Sequence, residues 1–245
     1  MSRRRKIQLV AFLALAMTVG VLILAGPVAQ RAFFYPKPRA LPPVVGQSAD
    51  QLFSRLQALL ETNAPIVAQS LQPGLSDAQI SALESQGGFL LSADLRALYH
   101  WHNGISTNST VGLLPGHRFL PLDVMVRERA LYHQHLASAT LVQRAASAVF
   151  AGHRKGWLQV LDDGAGDGYF YDPKRTDAEG SFFMHFAETG YYVWFPSFRN
   201  FLAGVIECFE TGAVKIAPDT RSLDENSAQT QKIWERLGKA SETGG

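Results

Sequence analysis

The sequence predicts an α+β domain, with helices packed on a mostly antiparallel sheet of four to six strands and preceded by one transmembrane helix. Three observations lead there: an uncharged apolar run over residues 7–29, amphipathic segments opened by serine caps, and a later switch from helical to alternating periodicity. The run "IQLVAFLALAMTVGVLILAGPVA" makes roughly 34 Å of helix, enough for a hydrocarbon core of about 30 Å. Pro27 sits badly for signal cleavage after Ala29, so the segment is expected to stay attached. Residues 1–6, with "RRRK", favour a cytoplasmic start. A single-pass inner-membrane protein with a periplasmic C-terminal domain is therefore expected, with the lipid bilayer as one partner.

Residues 30–46 are proline-rich and read as a semi-extended linker. A domain over residues 47–212 follows. Ser48 with Gln51 forms a capping box, and Leu52, Phe53, Leu56, Leu59 and Leu60 fall on one helical face. Ser76 with Gln79 repeats the device in "SDAQISALESQGG", where Leu75 is placed to staple against Ile80 and a glycine pair stops the helix. A short helix is expected from Ser92 to Trp101. "VGLLPGHRFLPL" reads as a short strand around a Pro-Gly turn, and a weaker helix is expected from about Asp123 to Phe150. The period then changes: "WLQVL", "GYFYD", "SFFMHF" and "YYVWF" are short aromatic and β-branched runs separated by Gly, Asp and Pro, the pattern of a meander. "SFRNFLAGVIECFETG" returns to a one-sided helix ending at Gly212. Residues 213–245 are a polar extension with a possible helix over 223–238.

Composition excludes several function classes. One cysteine, Cys208, permits no intramolecular disulfide and no thiolate cluster, and its apolar setting reads as a buried small hydrophobe. The first 46 residues hold seven basic and no acidic side chains, so of 23 basic and 21 acidic residues the remainder keeps 16 and 21, a formal charge of −5. Nucleic-acid binding through phosphate neutralisation is disfavoured for such a domain.

The tract "GWLQVLDDGAGDGYFYDP" concentrates acid in an apolar region. Counted from Asp163, the twelfth residue is Lys174, where a calcium loop needs an acidic ligand. His100 with His102, and His133 with His135, are two apart and diverge on a helix, and there is no HExxH, GxSxG, phosphate loop or dinucleotide fingerprint. "NST" at 108–110 is a formal glycosylation triplet with no further support. No metal, cofactor or catalytic residue is expected, and the chain is read as not an enzyme. The catalytic alternative is a tethered hydrolase using Asp163, Asp167 and His185 or His153.

Asp163-Gly164 and Asp167-Gly168 suit tight turns, so the cluster reads first as a hairpin rim. Asp163 and Asp167 are expected to cap the turn, and Asp162 to offer its carboxylate to solvent or to a basic partner. The ring stripe Tyr169, Tyr171, Phe182, Phe186, Tyr192 and Trp194 reads chiefly as core, yet rings on both faces leave room for an exposed binding face that would include Tyr169, Tyr171 and Tyr191.

The ordered set "LSDAQISALE", "LSADLRALYHWHNG", "GWLQVLDDGAGDGYFYDP", "GSFFMHF" and "PSFRNFLAGVIE" resembles the SUKH superfamily, which unites fungal cell-wall assembly regulators with bacterial immunity proteins. The similarity runs over about residues 48–212. The family's tract opens on a tryptophan, matched by Trp157, and passes an acidic residue and glycine, Asp163 and Gly164, to a Gly-Asp pair, Gly166 and Asp167. The resemblance implies a SUKH-like fold and a non-catalytic protein-binding module, foremost an immunity protein that neutralises a toxin encoded nearby. An envelope scaffold or cell-wall-associated interaction protein is the alternative. Trp157, Asp162, Asp163, Gly164, Gly166, Asp167, Tyr169, Tyr171 and Tyr191 are the expected binding residues.

Overall fold

Four of the helices described start on serine hydroxyls. The computed structural model describes residues 47–106, 108–138, 140, 156–175, 182–185, 192–217, 222–237 and 239–240. Helix α1 (Ala49–Asn63) opens on a reciprocal capping box, Ser48 N–H donating to Gln51 Oε1 at 2.9 Å and Gln51 N–H to Ser48 Oγ at 3.3 Å. Ser76 and Gln79 do the same for α3 (Asp77–Gly87), which follows the short α2 (Pro65–Ser70). Ser92 caps α4 (Ala93–Trp101), and after α5 (Leu122–Ser138) Ser197 caps α6 (Phe198–Glu210). A last helix, α7, covers Ser227–Leu237.

The main sheet is antiparallel throughout, built from β3 (Arg118–Phe119), β4 (Leu158–Asp162), β5 (Gly168–Tyr171), β6 (Phe182–His185), β7 (Tyr192–Phe195) and β10 (Lys239–Ala240). Its spatial order is β10-β7-β6-β5-β4-β3, so the central strands follow the chain as a meander. Two small antiparallel pairs stand apart: β1 (Leu71–Pro73) with β2 (His102–Ile105), and β8 (Val214–Ile216) with β9 (Leu223–Glu225).

The core lies between the sheet and the helices. Alternation places Tyr169, Tyr171, Phe182 and Phe195 in it, where they meet Phe198 and Phe201 of α6 and Leu52, Phe53, Leu56 and Leu60 of α1. The register of β4 shifts between Gln159 and Leu161, and Val160 and Leu161 are both buried there. The opposite set, Trp157, Phe170, Phe183 and His185, forms a second ring cluster, with Trp157 and Phe183 centroids 4.5 Å apart. Charged pairs tie the helices together, among them Arg199 of α6, which grips Asp94 of α4 at 2.8–3.0 Å, and Arg55 of α1, which reaches Glu210 of α6 at 2.6 Å.

The segment after Gly212 joins this core. Trp234 of α7 stacks on Phe201, with centroids 5.8 Å apart and planes at 10°. A side chain at Gly204 would meet the Trp234 ring at 2.3 Å, so glycine is needed for α7 to lie against α6.

The expected architecture is corrected on its membrane element. Among the described residues no helix is long and apolar enough to cross a membrane. The described structure thus supplies no element for the transmembrane helix of the expected fold or for the single-pass inner-membrane location; residues 7–29, on which both were placed, lie outside the described residues. The 17-residue α5 makes only about 26 Å and carries Asp123, Arg127, Glu128 and Arg129 within its first half. Of the helix expected from Asp123 to Phe150, the described part ends at Ser138, and residues 141–150 lie outside. Leu223, expected in a terminal helix, lies instead in β9.

Candidate functional site

The acidic tract forms the turn between β4 and β5, closed by the pairing of Asp162 with Gly168. Asp163 Oδ1 accepts from the backbone N–H groups of Ala165 at 2.8 Å and Gly166 at 2.9 Å, holding the loop by its own side chain. Gly164 at φ 81° and Gly166 at φ 110° take backbone conformations that a side chain would strain, which is why the turn carries glycine at both. Asp167 lends its backbone carbonyl, which accepts from Gln159 Nε2 at 3.2 Å.

Asp162 departs from expectation. Its Oδ1 accepts from Gly164 N–H at 2.9 Å and from Gln159 Nε2 at 3.1 Å, and its Oδ2 lies 3.4 Å from Arg118 Nη2 across on β3. The side chain is only 20% exposed, so its carboxylate is occupied within the fold rather than offered to a partner. Replacing Asp162 with alanine is expected to cost about 1–2 kcal/mol, because three donors lose their acceptor at once. Denaturant melts would read this; a cost below about 0.5 kcal/mol would restore the outward assignment.

The exposed aromatic face is corrected too. Tyr169 is 3% and Tyr171 1% exposed, both inside the helix-facing core, and Tyr191 lies outside the described residues. Strands β5 and β6 are covered on both faces, so the rings that alternate outward are not solvent-facing either: Phe170 and Phe183 are buried with Trp157. Burial also pushes the Tyr169 hydroxyl well above its ordinary range. Of the hydrolase alternative, Asp163 is committed to the turn, and His185, 1% exposed, packs its ring near Trp157 and Phe170, a poor setting for activating water. His153 lies outside the described residues. Burial raises the Cys208 thiol to about 12, away from the thiolate a nucleophile needs.

A different surface comes from residues the sequence scatters. Between the end of α3, Arg129 of α5 and the turn at Pro173–Lys174 lies an open groove of about 750 Å³. Gly88, in the left-handed conformation, caps α3 and is followed by Phe89, 8% exposed, and Leu90, 69% exposed. Arg129 Nη1 donates to the Gly87 carbonyl, and its guanidinium lies 5.7 Å from the centre of the Phe89 ring. Its Nε is buried with no acceptor, and burial lowers its hold on the proton. Glu84 on the wall is neutralised by Arg96 Nη1 at 2.5 Å and accepts from Leu91 N–H at 2.8 Å. Across the groove Asp172 caps the Lys174 backbone N–H at 3.0 Å, fixing the turn that carries the lysine. No local motif signals this surface. Its only trace in the sequence is an apolar pair directly after a double glycine.

The profile of the SMI1 / KNR4 family (SUKH-1) matches residues 74–204, more than half of the 245-residue chain. The match starts ahead of α3, takes in the β4–β5 turn and ends within α6. No curated protein matches the chain.

Proposed function

The chain belongs to the SMI1 / KNR4 family (SUKH-1), and from that premise we propose that it is a non-catalytic protein-binding module of the immunity type, which neutralises a toxin by direct contact. The observation that carries the reading is the family match over residues 74–204. Proteins of this family are generally non-catalytic immunity proteins or regulators and bind protein partners such as toxins. The burial of Tyr169, Tyr171 and Trp157 fits a role in which the ring tract builds the scaffold while contact is made elsewhere on the surface.

The test is co-expression with the candidate toxin encoded beside this gene, followed by affinity purification of the full chain. Expected is restored growth together with a stoichiometric complex. Absence of both would end the immunity reading, and recovery of wall-assembly proteins in place of a toxin would favour the regulator role found in the same family.

A further inference from the structure

The structure assigns the groove beside Leu90 a ligand chemistry: we propose that it takes an extended segment of a partner protein in which aspartate or glutamate side chains flank an exposed aliphatic or aromatic residue. This rests on the protein-binding reading and names the partner chemistry for one surface.

The charge distribution is the first argument. Among the described residues, Arg55, Arg96, Arg118, Arg127, Arg199 and Arg236 each lie within ion-pair distance of a carboxylate. Arg129 and Lys174 have no such partner among those residues, as Lys215 and Lys232 have none, but Arg129 and Lys174 are brought together on the lining of this one groove. The one carboxylate on its wall, Glu84, is already paired with Arg96. The groove is thus a cationic spot on a domain whose overall charge is negative, which steers an acidic segment here and repels it elsewhere.

The second argument is apolar. Leu90 and Leu131 are the large hydrophobic side chains standing exposed among the described residues, and Leu90 is the more exposed of the two, at 69%. It sits beside the Phe89–Arg129 stack, so one apolar partner side chain would cover it while neighbouring carboxylates reach the guanidinium and the ammonium. A phosphate backbone would satisfy the cations but leave Leu90 in water. It would also face a net-negative surface around the groove.

The experiment is selection of a random peptide library on the full chain, followed by fluorescence anisotropy of the recovered peptides. Expected are sequences rich in Asp and Glu beside Leu, Ile or Phe, with binding weakened about tenfold or more by K174E and by L90S and falling as salt rises. Both substitutions fall at exposed positions, so the fold is retained; thermal melts of each variant verify this. Neutral or basic peptides, acidic peptides that bind both variants unchanged, an oligonucleotide that binds in a K174E-sensitive way, or no recovered peptide would each overturn the proposal. Peptide binding without protection against the neighbouring toxin would end the immunity reading and leave the groove standing. Protection by a chain that recovers no acidic peptide, or whose peptides bind K174E and L90S unchanged, would sink the groove alone.

Discussion

Replacing Phe201 with alanine is expected to lower the unfolding free energy by about 3–5 kcal/mol, the range for emptying a buried aromatic site. Phe201 is 2% exposed at the centre of the sheet–helix interface. Its ring lies 4.6 Å from Phe182, 4.9 Å from Tyr169 and 5.4 Å from Phe195, and it stacks on Trp234 at 5.8 Å. Those neighbours come from three strands and from α7, held by separate backbone frameworks, so they cannot all move in to fill the space. Since a domain of this size has about 5–15 kcal/mol of stability, the variant should sit near the edge of folding at ambient temperature. Urea unfolding followed by tryptophan fluorescence would read both the midpoint and the loosening around Trp234. A cost below about 1 kcal/mol would mean that α6 does not seat this ring in the core.

Removal of the Glu84 carboxylate is the next largest expected effect. Glu84 is 4% exposed, receives the Leu91 backbone N–H and pairs with Arg96 Nη1. E84A leaves the N–H of the buried Leu91, in the link between α3 and α4, without its acceptor, and leaves Arg96 with Asp77 and Ser81 alone. A loss of about 3 kcal/mol is expected. E84Q keeps an acceptor for Leu91 and should cost about half as much. Equal melts for the two variants would show that the ion pair, not the backbone contact, dominates; an unchanged E84A would show that water reaches the site.

The helices show how much was legible beforehand. Ser48 with Gln51, Ser76 with Gln79, Ser92 and Ser197 mark helix starts because a hydroxyl meets an N–H three residues on, a contact closed within one turn of chain. The Asp163-Gly164 pair marks its turn for a similar reason, since Asp163 meets Ala165 and Gly166 within three residues. The β1–β2 pair was not legible. It joins Leu71 to Ile105 across two helices, and "LQP" has no strand signature of its own. The expected membrane helix rests on the length and apolar character of residues 7–29, with Pro27 and the preceding basic residues beside them, all of which lie outside the described residues.

The sequence by itself determined the helix starts and the acidic turn, which close on contacts within a few residues, and the strands, whose alternation is written along the chain even though their partners are distant. Which faces of the strands are covered was decided by tertiary structure. Asp162 is held by Gly164 and Gln159 close by in the chain, and the pairing of β3 with β4 adds Arg118 from 44 residues earlier. Tyr169 and Tyr171 are buried because α6 lies over their face of the sheet. The groove draws Leu90, Arg129 and Lys174 from three separate elements, and their adjacency depends on how α3, α5 and the turn after β5 pack. Local sequence carries the periodicity of an element, but the burial and charge of its faces are set by whichever distant segment comes to rest against them.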